Sequence, residues 1–121
     1  MKILVIDDND QDRRIIERFL KKAGYSEIIL AETGEQGVEK AVTEKPDLVI
    51  TDTLLPGIDG FEVCRQISEK LGATGPKIVV MTGSVDAVDA VKARRLGADD
   101  YCVKTTDASI LIESIKRLSQ G

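Results

Sequence analysis

The chain has 121 residues, 42% hydrophobic and 31% charged, with a net charge of -4, which suits one domain with its own core and leaves no room for a second of ordinary size. The mildly acidic balance argues against direct nucleic-acid or anionic-membrane binding, both of which favour a basic patch, and no apolar stretch is long enough to span a bilayer. With no histidine present, Ser-His-Asp, Cys-His and phosphohistidine chemistry are excluded within this polypeptide, so acid–base or nucleophilic work falls to carboxylates, hydroxyls and lysines.

The N-terminus runs straight into Lys2-Ile3-Leu4-Val5-Ile6 and then acidic residues, unlike a cleavable signal peptide, and a cytoplasmic location is expected. Short Val- and Ile-rich runs at 3–6, 28–31, 48–50, 78–81 and 101–103 have the continuous apolar character of strands buried on both faces. Between them lie segments with helical spacing. Ile15, Ile16, Phe19, Leu20 and Ala23 line one face of a first helix, which Gly24 stops. Thr33 and Gln36 form a capping-box pattern that opens a second helix carrying Val38, Ala41 and Val42 and ending before Pro46.

A third helix starts near Asp59-Gly60 and carries Val63, Cys64, Ile67 and Leu71. The fourth follows Ser84, carries Val88, Val91 and Leu96, and closes at Gly97; the fifth follows Thr106-Asp107 with Leu111, Ile112, Ile115 and Leu118. Strict strand–helix alternation predicts an α/β fold, a five-stranded parallel sheet with helices on both faces. Residues 1–121 are read as one domain. Cys64 and Cys102 lie far apart without metal-ligand spacing, so both are expected to be reduced, packed thiols and zinc is disfavoured.

In such a sheet, ligands bind beyond the carboxyl ends of the strands. Asp7 and Asp8 follow the first run, Thr51-Asp52 ends the third, Met81-Thr82 ends the fourth, and Lys104 follows the fifth. Taken singly, Asp7 and Asp8 could end a strand and cap a helix, Thr82 could be an ordinary β-branched strand residue, and Lys104 a surface lysine. Asp52 is harder to dismiss, because an acid directly after a buried strand is costly unless paired or hydrogen-bonded. Three carboxylates held close are relieved by protonation or by a cation. Oxygen-only ligation points to Mg²⁺, with Mn²⁺ or Ca²⁺ as substitutes. A lysine and a hydroxyl opposite would complete a cradle for phosphoryl transfer, with a carboxylate nucleophile forming an acyl phosphate.

Ile3-Leu4-Val5-Ile6-Asp7-Asp8, Asp47-Leu48-Val49-Ile50-Thr51-Asp52, Leu55-Pro56-Gly57-Ile58-Asp59-Gly60-Phe61-Glu62, Met81-Thr82-Gly83 and Gly97-Ala98-Asp99-Asp100-Tyr101-Cys102-Val103-Lys104 together resemble the receiver domain of two-component response regulators, over essentially the whole chain. The resemblance implies the (βα)5 doubly wound, flavodoxin-like or CheY-like fold, and a signalling switch rather than a turnover enzyme. Asp52 would accept a phosphoryl group from a histidine kinase or phosphotransfer protein. Asp8 and Asp52 would ligate Mg²⁺ directly, with the backbone carbonyl of Leu54 as a third ligand and Asp7 acting mainly through water. Lys104 would pair with Asp52 and then with the phosphoryl oxygens. Thr82 would swing towards the phosphoryl group and Tyr101 would turn inward behind it, altering the surface of the fourth helix, fifth strand and fifth helix, where an effector or a second protomer would dock.

The sequence departs from the family at several points. Thr105 stands where proline usually follows the active-site lysine, and a trans Lys104–Thr105 bond is expected, since a cis bond to a non-proline residue costs about 3 kcal/mol. Leu54 and Ser84 stand two residues beyond Asp52 and Thr82, at positions that flank the phosphoryl group in this family. Leu54 cannot hold an attacking water by hydrogen bonding and Ser84 is small, which predicts slow loss of the phosphoryl group. Leu55 replaces a frequent methionine as a packing variation. Three rival readings fit less well. A haloacid-dehalogenase-like phosphohydrolase would have a second Asp where Leu54 stands and a substrate cap. A flavin or nucleotide carrier would need a Gly/Ser/Thr-rich phosphate loop where this chain has Asp7-Asp8-Asn9-Asp10. A pseudo-receiver would have lost part of the charged and hydroxyl set.

Overall fold

The computed structural model of the chain describes residues 1–83, 87–105 and 108–120. Within them run β1 (Lys2–Ile6), α1 (Asp10–Lys22), β2 (Glu27–Ala31), α2 (Gly34–Glu44), β3 (Leu48–Asp52), α3 (Gly60–Leu71), β4 (Lys77–Thr82), α4 (Ala87–Arg95), β5 (Asp100–Val103) and α5 (Ser109–Ser119), with a 3-10 turn at Gly72–Thr74. The strands pair in parallel in the order β2-β1-β3-β4-β5. The predicted α/β sheet is therefore observed. Its order reverses about β1 and β3, the first leading into Asp7 and the second ending at Asp52.

Alternation along each strand splits the core into two layers. Ile3, Val5, Leu48, Ile50 and Val79 pack with Ile16 and Leu20 of α1 and Leu111 and Ile115 of α5. Leu4, Ile6, Val49, Ile78 and Val80 turn the other way, towards Val38 and Ala41 of α2, Val63, Cys64 and Ile67 of α3, and Ala93 of α4. Each fully buried Ile or Leu contributes about 2 kcal/mol, against about 1 kcal/mol for a typical hydrogen bond. The two apolar layers therefore dominate stability and hold the strand ends in register. Cys64 and Cys102 are free and buried, as expected. Burial pushes their thiols up to about 12 and about 11, with nearby carboxylates adding to the effect, so both stay protonated.

The helix starts are written locally. Asn9 accepts from the Asp12 N–H at 3.0 Å, Thr33 from the Gln36 N–H at 3.1 Å, and Asp59 from the Glu62 N–H at 2.9 Å. The box at α2 closes one residue early, because Gln36 Oε1 accepts from the N–H of Glu32 rather than Thr33. Lys45, just before Pro46, ends α2 in the left-handed region at φ 50°, and Gly97 does the same after α4 at φ 109°.

Four expected inward residues face water instead. Val88 is 76% exposed and Val91 52%, because α4 rests on the sheet through the small Ala93. The spacings 88–91 and 90–93 are equally helical, so periodicity alone selects the wrong stripe. Val42 is 38% exposed, and Ala23, the C-cap of α1, has already left its buried face. The Lys104–Thr105 bond is trans, as predicted. Ser84, Thr106 and Asp107, expected to open the fourth and fifth helices, lie outside the described residues.

Candidate functional site

Asp7, Asp8 and Asp52 leave β1 and β3 at the same sheet edge, and one carboxylate oxygen from each lies within 4.8 Å of the others. Their burial differs: Asp7 is buried, Asp52 is half-buried and Asp8 is exposed. Lys104 follows β5 and reaches across the edge. Its Nζ donates to Asp52 Oδ2 at 2.8 Å, Asp12 Oδ2 at 3.0 Å and Asp7 Oδ2 at 3.1 Å. An ammonium has three N–H donors, so these carboxylates use all of them.

The electrostatics follow from the crowding. Burial raises Asp7 above the ordinary carboxylate range and the neighbouring Asp52 adds to it; the Asn9 N–H and Lys104 pull only partly the other way. For Lys104, burial disfavours the charge, but the bonds to Asp52 and Asp12 outweigh it and hold the ammonium above its ordinary range. Among the described residues, Asp7, Asp12 and Asp52 thus share one ammonium, with the Asp8 carboxylate beside Asp7 and Asp52. A notch with surplus negative charge and only oxygen donors fits a small, hard divalent cation such as Mg²⁺.

Backbone geometry locks the notch. The Leu54 N–H donates to Asp52 Oδ1 at 3.3 Å, while the Leu54 side chain is 79% exposed. The Gly60 N–H donates to the Thr53 carbonyl at 3.1 Å, and a Cβ on Gly60 would lie 2.1 Å from the Asp52 carbonyl oxygen. Only glycine allows α3 to begin so close to this loop. Thr82 is buried at the end of β4, one residue past Met81, the β3-facing partner of Asp52. Its carbonyl accepts the Lys104 N–H at 2.8 Å. Tyr101 is half-buried against the layer that contains Phe61 and Ala93. Its hydroxyl, like that of Thr105, is buried without a hydrogen-bond partner among the described residues.

All the sequence-predicted residues, Asp7, Asp8, Asp52, Leu54, Thr82 and Lys104, therefore come from the carboxyl ends of β1, β3, β4 and β5 or the loops beyond them, with Tyr101 inside β5. Sequence reasoning missed two others. Asp12 sits in the first turn of α1, where an acid ordinarily only complements the helix dipole. Arg13 is buried, donates Nη1 to the Asp7 carbonyl at 2.7 Å, and binds Asp10 through Nη2 at 2.8 Å. Its signal was present: Arg13, Ile16 and Leu20 share one helical stripe, so the arginine lies on the buried face.

The Response regulator receiver domain family matches residues 3–116. The chain is 41% identical over 104 residues to the alkaline phosphatase synthesis transcriptional regulatory protein PhoP of Bacillus subtilis, covering 85% of this chain and 42% of that protein. It is 32% identical over 120 residues to protein PilH of Pseudomonas aeruginosa, covering 99% and 98%. The chain thus spans less than half of the first relative and nearly all of the second. Among solved structures, a CheY-like response regulator receiver domain protein from Methanospirillum hungatei JF-1 superposes with a TM-score of 0.86 at 28% identity, covering 97% of this chain and 91% of that one.

Proposed function

This chain belongs to the response regulator receiver domain family, and from that premise we propose that it is a phosphorylation switch whose phosphoryl acceptor is Asp52. The observation that carries the reading is the junction at Lys104. One ammonium binds Asp52 at 2.8 Å and the buried Asp7 at 3.1 Å, beside a carboxylate trio drawn from two strands.

Asp8, Asp52 and the Leu54 carbonyl would hold Mg²⁺ directly, and Asp7 would act mainly through water. The bound cation would neutralise charge on the transferring phosphoryl group. Asp52 attacks phosphorus with a carboxylate oxygen, and the donor's bond to phosphorus breaks with its electron pair leaving on the donor. Lys104 follows the charge, turning one of its three N–H donors to a phosphoryl oxygen. Thr82 supplies a hydroxyl from β4, and because its carbonyl already holds the Lys104 N–H, β4 and the residue after β5 respond together. Tyr101, whose hydroxyl has no hydrogen-bond partner among the described residues, is the group on β5 that changes place. The α4–β5–α5 surface is the readout, for an effector or a second protomer.

The phosphoryl source would be a histidine kinase or phosphotransfer protein in the cytoplasm, and residues 1–121 act as one receiver domain. No helix among the described residues is long and apolar enough to cross a membrane. Incubation with acetyl phosphate and Mg²⁺, followed by intact mass measurement, tests the reading. Wild type gains one phosphoryl mass; Asp52→Asn and metal-free wild type do not. An equal gain in Asp52→Asn would overturn the assignment.

A further inference from the structure

Of the three carboxylates on Lys104, the Asp12 side chain is 41% exposed, against 12% for Asp52 and 2% for Asp7. A phosphoryl oxygen can gain a Lys104 N–H only by displacing one of them, because no donor is spare. Releasing the most exposed acid costs least, since water replaces its lost partner more readily than at the buried carboxylates. Asp12 also borders a cavity of about 310 Å³, lined further by Ile15, Met81, Lys104 and Thr105, so it stands at the edge of the site rather than inside it. Its backbone is fixed by the Asn9 cap at 3.0 Å, so the carboxylate stays beside the site when it lets go of the lysine.

We propose that Asp12 is a donor-discriminating residue: its carboxylate occupies the seat on Lys104 that an incoming phosphoryl oxygen takes, and its charge selects against the more anionic phosphoryl donors. The proposal rests on Asp52 being the acceptor. With acetyl phosphate, the Asp52 oxygen–phosphorus bond forms as the bond from phosphorus to the acetyl oxygen breaks, and acetate leaves with the electron pair. With phosphoramidate, the phosphorus–nitrogen bond breaks and the nitrogen, already protonated, leaves as ammonia. At neutral pH acetyl phosphate is doubly charged and phosphoramidate singly charged, so repulsion from Asp12 weighs more on the first. A plain helix-start acid would weigh on neither.

The test is the rate of phosphoryl gain by intact mass, with Mg²⁺, for wild type, Asp12→Asn, Asp12→Glu and the distant charge control Glu113→Gln. Asp12→Asn should accelerate acetyl phosphate by about four-fold at low salt, the scale of one charge repelling a doubly charged donor across roughly 10 Å of water. The gain should shrink as NaCl is raised towards 1 M, where screening is nearly complete. Phosphoramidate, with half the charge, should change by only about two-fold, and Asp12→Glu and Glu113→Gln should stay near wild type with both donors. Equal acceleration of both donors, no acceleration, or a salt-independent gain overturns the role of Asp12 while leaving Asp52 as acceptor. Failure of wild type to gain a phosphoryl mass from either donor overturns the acceptor reading, and this inference with it.

Discussion

Asp52 and Asp100 are both strand-end acids with side chains 12% exposed, yet their surroundings carry opposite surpluses. Asp52 shares its one cation, Lys104, with Asp7 and Asp12. Asp100, at the opposite end of β5 from Lys104, is surrounded by donors: the Ser114 hydroxyl at 2.5 Å, the Arg117 guanidinium, the Tyr101 N–H at 2.9 Å and the Cys102 thiol at 3.6 Å, with Arg94 at 3.8 Å. Burial works against its charge, but these donors win, and Asp100 is held below the ordinary carboxylate range. Asp7, beside Asp52, is raised. A satisfied acid clamps β5 to α5, whereas an under-neutralised group of acids is a place for a cation. Burial alone does not separate structure from site; the balance of charge around the buried group does.

That contrast breaks first at Asp100. Asp100→Ala should cost about 2–4 kcal/mol in urea unfolding, because buried Ser114 and the Cys102 thiol lose their acceptor. The sign with pH follows from the lowered value. The folded state binds the Asp100 proton less readily than the unfolded chain, so the difference from wild type is full above the ordinary carboxylate range. It closes as pH falls below that range.

Asp7 should behave in the opposite sense. Its raised value means the folded state binds that proton more readily, so the cost of Asp7 grows as pH rises through its folded-state range. In EDTA, Asp7→Asn should therefore stabilise the chain by about 1 kcal/mol at neutral pH, and the gain should vanish in acid. Mg²⁺ at ten times its Kd should stabilise wild type by about 1.4 kcal/mol, with a smaller gain in Asp7→Asn; thermal melts with and without Mg²⁺ measure both. A uniform response of Asp7 and Asp100 to pH would erase the distinction drawn between them.

The smallest effect is expected at Leu54, whose exposed side chain offers no hydrogen bond to an attacking water. Leu54→Asn should shorten the phosphoryl lifetime about three-fold, or ~0.7 kcal/mol on the barrier, followed as mass decay after donor removal. An unchanged decay would separate the Leu54 position from hydrolysis.

Much of this was legible in the sequence because the strands are buried on both faces and announce themselves as apolar runs, and because each site residue stands next to one. The caps at Thr33 and Asp59 were equally local. Legibility failed where two stripes of one helix compete: Val88 and Val91 carry the hydrophobicity, but Ala93 makes the contact, and small size is invisible to a pattern weighted by apolarity. It failed again at Asp12, because an ordinary role at a helix start concealed its reach into the site. Nothing local to β5 distinguishes Asp100 from Asp99, since the partners that decide its character, Ser114 and Arg117, are contributed by α5.

The absence of a side chain at position 60 has a mechanical consequence. The start of α3 bears on the acceptor strand without a cushion, so helix and strand behave as one anvil. A displacement set off at Asp52 would therefore have little freedom to spread towards α3.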